Sequence, residues 1–278
     1  TAVGTAALML NTTGTQNVAV GANALDANTT SNHNAAFGTS ALGANTGSQN
    51  TALGSQAMLV NTTGSDNVAV GMNALVSNTT ADDNTAVGFL ALTSNTTGAN
   101  NVAVGSKALD ANTTAGNNTA VGQKSMTDNT TGDNNAALGY RSLQDNTTGI
   151  QNTALGADAM YTNTTGGSNV AVGFMTLYNN TTASNNTAVG YQALYTNTTG
   201  NKNTAVGQES LKSNTTGGYA TAVGYRALLS QTTANYNTAV GWGALQNMDA
   251  SRNTAVGHNA MQADTAGRYN VALGAEAM

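Results

Sequence analysis

The chain of 278 residues carries 8 basic and 13 acidic side chains, a net charge of −5, and only 8% charged residues, against roughly 25% in an ordinary soluble domain. Proline and cysteine are both absent, which excludes a disulfide framework, a cysteine-based zinc site and a thiol nucleophile. Eight scattered cations form no basic stripe for nucleic acid, no apolar run of about 18 residues spans a membrane, no signal-peptide pattern is read in these residues, and the first residue is Thr rather than Met, so the expectation is a segment of a longer protein.

Internal self-similarity governs the rest. A glycine recurs from Gly4 to Gly274 at a spacing of 17, with two steps of 16 (Gly38 to Gly54 and Gly241 to Gly257). The unit Asn186 to Lys202, NTAVGYQALYTNTTGNK, defines positions 1 to 17, with the recurring glycine at 5. Position 1 is Asn in 15 of 16 copies, position 3 is Ala in all 17, position 4 is Val, Leu or Phe in all 17, and position 9 is Leu or Met in all 17. Position 12 is Asn in 13 of 16 copies and drifts to Gln231, Met248 and Asp264 in the last three.

The elements follow in chain order along the unit. Positions 2 to 4 alternate β-branched or apolar residues with Ala and predict a short strand. The glycine at 5 punctuates it. Positions 7 to 10 predict a second short strand, and Asn-Thr-Thr-Gly at 12 to 15 predicts the return turn. A helix is disfavoured, because Asn, Thr and Gly fill half the unit and all three are poor helix formers. One unit is therefore one coil of a parallel β-solenoid, and 16–17 coils make a single array over residues 1–278, each coil stacked at about 4.8 Å on the last. Asn columns at positions 1 and 12 can bond along the stack and hold its register.

Two side chains per coil, at positions 4 and 9, supply the expected core, little against the entropy of ordering the unit, so a lone coil is thin. The unvarying Ala at position 3 means that something close forbids a larger side chain: a neighbouring chain around an axis, or a very flat coil. Self-association is expected, as a homotrimer or as solenoids docked end to end.

The run NTAVG-x-x-AL, seen at Asn186 to Leu194 and Asn203 to Leu211, resembles the head repeats of trimeric autotransporter adhesins and the NTAVGYQAL-NTTG arrays of phage tail-fibre proteins. The resemblance covers the whole chain. It implies a left-handed parallel β-roll wound as a trimer, and an extracellular fibre or adhesin of a virion or cell surface.

Catalysis finds little to build on. The two histidines, His33 and His258, lie more than ten coils apart, and no HExxH, GxSxG or phosphate-binding loop is present. No enzyme activity, cofactor or metal is expected. The aromatic residues are more informative, because equal positions in neighbouring coils stack. Tyr161, Tyr178 and Tyr195 occupy position 10 of three consecutive coils, and Phe174, Tyr191, Tyr225 and Trp242 recur at position 6. They suit a glycan- or partner-contact strip or like-on-like stacking that stiffens the rod. Asn11, Asn28, Asn61, Asn78, Asn95, Asn112, Asn129, Asn146, Asn163, Asn180, Asn197 and Asn214 each begin Asn-Thr-Thr. They read either as N-glycosylation acceptors or as a structural ladder. Regular Thr columns raise a lesser alternative, an ice-binding face, but adjacent positions 13 and 14 would point opposite ways on a regular strand. The expected function is a stiff, non-enzymatic extracellular fibre or adhesin segment with possible glycan contact and no role in nucleic-acid binding or membrane insertion.

Overall fold

A computed structural model describes all residues, Thr1–Met278. It is an all-β parallel solenoid with no helix, built as two compact units, Thr1–Asn135 and Ala136–Met278. The first unit holds β1 (Ala2–Val3), β2 (Val18–Val20), β3 (Ala35–Phe37), β4 (Thr51–Leu53), β5 (Val68–Val70), β6 (Thr85–Val87), β7 (Val102–Val104) and β8 (Thr119–Val121). The second holds β9 (Ala136–Leu138), β10 (Thr153–Leu155), β11 (Val170–Val172), β12 (Thr187–Val189), β13 (Thr204–Val206), β14 (Thr221–Val223), β15 (Thr238–Val240), β16 (Thr254–Val256) and β17 (Val271–Leu273).

Within each unit consecutive strands pair in parallel, with like position on like. Ala154 faces Ala171 and Ala188 faces Ala205. The two 16-residue steps keep this register, Ala36 to Ala52 and Ala239 to Ala255. The missing residue falls in the return turn, where the tie from the position-1 Asn side chain to the turn carbonyl shortens from 14 residues to 13 (Asn34 to Gly47, Asn237 to Ala250).

Each coil has one strand, not the two expected. At positions 7 and 9 the backbone turns left-handed, as at Gln192 (φ 53°) and Leu194 (φ 52°). The reason lies in burial: Ala193 and Leu194 are adjacent, and both are fully buried. A regular strand sends neighbours to opposite faces, so it cannot bury both. Alternating the sign of φ can, although each left-handed residue costs roughly 1–2 kcal/mol. The segment still bonds across coils, Leu194 N–H to Ser210 O at 3.0 Å and Gln192 N–H to Phe174 O at 3.1 Å.

The glycine at position 5 is required twice over. Gly207 has φ +130°, and a Cβ there would lie 2.5 Å from the carbonyl oxygen of Gly224 in the next coil. Side-chain direction corrects the expected core. The interior is formed by the alanines at positions 3 and 8 and the Leu or Met at position 9, flanked by the two Asn columns. In one coil these are Ala188, Ala193, Leu194, Asn186 and Asn197, all fully buried. Position 4 points outward, and Leu53 and Leu138 are about half exposed (50% and 53%). The constant Ala at position 3 is explained inside the single chain: it faces the flat interior, and no neighbouring chain is needed to confine it.

Candidate functional site

The asparagines predicted from Asn-Thr-Thr form a buried ladder along the stack. In the second unit Asn163 Nδ2 donates to Asn146 Oδ1, Asn180 to Asn163, Asn197 to Asn180 and Asn214 to Asn197, at 2.8–3.0 Å. In the first unit the links run Asn28 to Asn11, Asn61 to Asn45, Asn78 to Asn61, Asn95 to Asn78, Asn112 to Asn95 and Asn129 to Asn112, at 2.6–3.1 Å. Each amide also ties its own turn: Asn197 Nδ2 donates to Gly200 O at 3.0 Å.

The Asn column at position 1 reaches the same carbonyl from the other side, Asn186 Nδ2 to Gly200 O at 2.9 Å. Its Oδ1 accepts the backbone N–H of Asn203 in the next coil at 2.9 Å. One turn carbonyl thus joins both columns and closes the coil. Where Gln231 replaces Asn, its longer side chain keeps the ladder link to Asn214 Oδ1 at 3.2 Å and accepts from Asn237 Nδ2 of the position-1 column at 2.8 Å. Apart from half-buried Asn11, the twelve asparagines are fully buried.

The paired threonines divide. The position-13 hydroxyl donates to the same position's carbonyl one coil on, as Thr164 Oγ1 to Thr181 O at 3.0 Å and Thr198 Oγ1 to Thr215 O at 3.1 Å. The position-14 threonines, from Thr13 to Thr233, are exposed at every occurrence.

The predicted aromatics stack as columns. Tyr161, Tyr178 and Tyr195 lie at centroid distances of 5.2 and 5.3 Å with nearly parallel rings. Phe174 stacks on Tyr191 at 6.0 Å, and Tyr225 on Trp242 at 5.5 Å. Trp242 in turn stacks on His258 at 5.0 Å, which gives that histidine its place. Rings stacked along the axis turn their faces to each other: both faces of Tyr178 are occupied, and the Arg141 guanidinium lies over Tyr161 at 5.0 Å. Burial pushes the Tyr178 phenol above its ordinary value.

A third column, at position 17, was not singled out from the sequence. Lys202 lies over Tyr219 at 5.0 Å, Tyr219 stacks on Tyr236 at 4.9 Å, and Arg252 lies over both Tyr236 and Tyr269. The signal was the shared phase of these residues, hidden by the variety of side chains at that position in earlier coils.

Charged groups pair locally rather than converge. Arg141 Nε bonds Asp158 Oδ1 at 2.8 Å. Glu209 accepts from Lys212 at 2.9 Å and Arg226 at 2.7 Å, and these hydrogen bonds, Lys212 first, hold its carboxyl below the ordinary value. No three His, Asp or Glu side chains lie close enough to hold a metal ion. No helix is long and apolar enough to cross a membrane. No protein-family model matches the chain, and no curated protein is significantly similar to it.

Proposed function

We propose that this chain is a non-enzymatic structural segment, a stiff self-associating rod in an extracellular fibre or adhesin of a virion or bacterial surface. One observation carries the reading: the repeated polar side chains are committed to bonds along the stacking direction. The Asn186–Gly200–Asn197 tie and the Asn163–Asn180–Asn197–Asn214 ladder recur coil after coil. Satisfied buried amides rigidify and set register, which serves a mechanical role rather than chemistry. The extracellular setting rests on the resemblance to adhesin heads and tail fibres. Contact with surface glycans would fall to the exposed rings of Phe174 and Tyr191, each of which stacks on one ring only.

Docking end to end is the second reading, favoured by the position-1 Asn column, which continues to Asn270 N–H on Asn253 Oδ1 at 3.0 Å, whereas the position-12 ladder ends at Gln231. Strand backbone and position-1 amides repeat from coil to coil, so another copy could continue them. Electron microscopy of the purified chain tests the rod. Rods that shorten by about 4.8 Å for each coil deleted are expected, and compact particles of unchanged dimension would overturn it.

A further inference from the structure

One ordered set of hydroxyls has no task within the chain. From β12 to β16 the strand reads Thr-Ala-Val five times in succession: Thr187 to Val189, Thr204 to Val206, Thr221 to Val223, Thr238 to Val240 and Thr254 to Val256. All five strands lie in the second unit and pair in register, Thr on Thr and Val on Val. Their middle alanines are fully buried, so Thr and Val share the outward face. With position 4 taken as core no such face exists; the outward turn of the valines creates it.

The threonine hydroxyls at position 13 are committed along the stack, as Thr198 Oγ1 on Thr215 O at 3.1 Å. Those of Thr187, Thr204, Thr221, Thr238 and Thr254 bond no group of the chain, and none is sealed from solvent. Through the nine coils of the unit, positions 2 and 4 hold no charged or amide side chain.

We infer that this Thr-Val face binds ice. The inference goes beyond the rod reading and does not depend on it. Spacing selects the ligand. Hydroxyls recur about 4.8 Å apart from coil to coil, and the Thr and Val columns lie about 7 Å apart, two residues along a strand. Both distances are close to repeats of the water oxygens on the prism face of hexagonal ice. Waters held by the hydroxyls and fenced by the Thr and Val methyls therefore stand where that lattice needs them. Register is fixed beside the face: Asn186 Oδ1 accepts the Asn203 N–H at 2.9 Å, and Asn203 Oδ1 the Ala220 N–H at 3.0 Å. Satisfied buried amides rigidify what they join.

Composition argues against other occupants. A protein partner seats on aromatic and Arg anchors, and positions 2 and 4 of these five coils supply neither. An anionic ligand needs cations, which the face lacks. Charged side chains hold their own hydration shells against a lattice, and their absence leaves the surface water free to take up the order of ice.

Thermal hysteresis of the whole chain, read as the gap between the melting and freezing points of a single ice crystal, tests this, together with inhibition of ice recrystallisation. Wild type is expected to exceed an equal concentration of serum albumin in both. Thr221→Lys, at the centre of the array, is expected to lose most of the hysteresis. Thr204→Val with Thr238→Val suits a strand, keeps the fold should the lysine disturb it, and is also expected to lower the hysteresis. Thr216→Lys, on the exposed position-14 column of the same unit, is expected to leave it unchanged. An unchanged β spectrum and melting profile identify the folded variants. A wild type without either effect overturns the inference. So does hysteresis that survives both array variants, or that is lost in Thr216→Lys, which would move the face to the turns. Rods seen by microscopy with no effect on ice would leave the rod reading standing and remove this one.

Discussion

Asn197 donates to Asn180 Oδ1 one coil away at 3.0 Å and to Gly200 O in its own turn at 3.0 Å, so a single buried amide fixes both the stacking register and the shape of the turn. Gly200 O also accepts from Asn186 at 2.9 Å. The columns at positions 1 and 12 are therefore one network, and damage to either one opens the turn they share.

Replacing Asn197 with Ala strips the ladder donor from Asn180 Oδ1, removes one of the two donors to Gly200 O and leaves Asn214 Nδ2 without its ladder acceptor. The expected loss is about 2–4 kcal/mol in a denaturant titration, from buried polar groups left unpaired. Thr199→Ala, two residues along and exposed, is expected to change stability by less than about 0.5 kcal/mol. Equal effects would contradict the ladder's role.

Two glycines should separate cleanly. At Gly207 (φ +130°) alanine meets the Gly224 carbonyl oxygen at 2.5 Å, and a loss above about 2 kcal/mol or outright misfolding is expected. At Gly43 no positive φ occurs, and the nearest atom is the flexible Leu59 Cδ1 at 3.1 Å. Gly43→Ala is expected to be neutral or to stabilise by about 0.4–1 kcal/mol, through lower entropy of the unfolded chain. Thermal melts of both variants decide it.

Part of the acid sensitivity should lie at Glu209. Its folded carboxyl titrates below the ordinary 4.5 because Lys212 and Arg226 bond the charged form. The stabilisation is thus present above 4.5 and is lost as pH falls through the lower folded value. Glu209→Gln is expected to melt below wild type at neutral pH and to converge with it in acid. A gap that persists at the lowest pH would assign the effect to packing instead.

Removing the middle ring of a stack should cost more than removing an end ring. Tyr178 contacts Tyr161 and Tyr195, whereas Tyr195 contacts Tyr178 alone among the tyrosines. Tyr178→Ala is expected to lose about 1–3 kcal/mol from the two ring contacts, with Tyr195→Ala losing about half. The near-ultraviolet circular dichroism of the coupled rings should fall in the same order.

The repeat length, the parallel like-on-like stacking, the Asn ladder and the stacking of Tyr161, Tyr178 and Tyr195 were all legible in the sequence. They follow from phase alone, because in a solenoid identical position means neighbouring place. The second strand and the inward Val at position 4 were misread for a shared reason. Period-2 reasoning assigns faces by alternation, and it cannot see that Ala193 and Leu194 are buried side by side. The position-17 column of Lys202, Tyr219, Tyr236 and Arg252 was missed because mixed cations and rings do not look like a repeat until coordinates stack them.

By itself, then, the sequence determined that the chain climbs in equal coils and which residues lie above which, since translation by one unit is a one-dimensional property. Only the tertiary structure decided which side of each coil faces inward. That choice depends on the sign of φ at positions 7 and 9, a backbone variable that Gln192 and Leu194 do not declare by their chemistry. It turns the Leu or Met of position 9 into the core and leaves the Val column of position 4 on the outside.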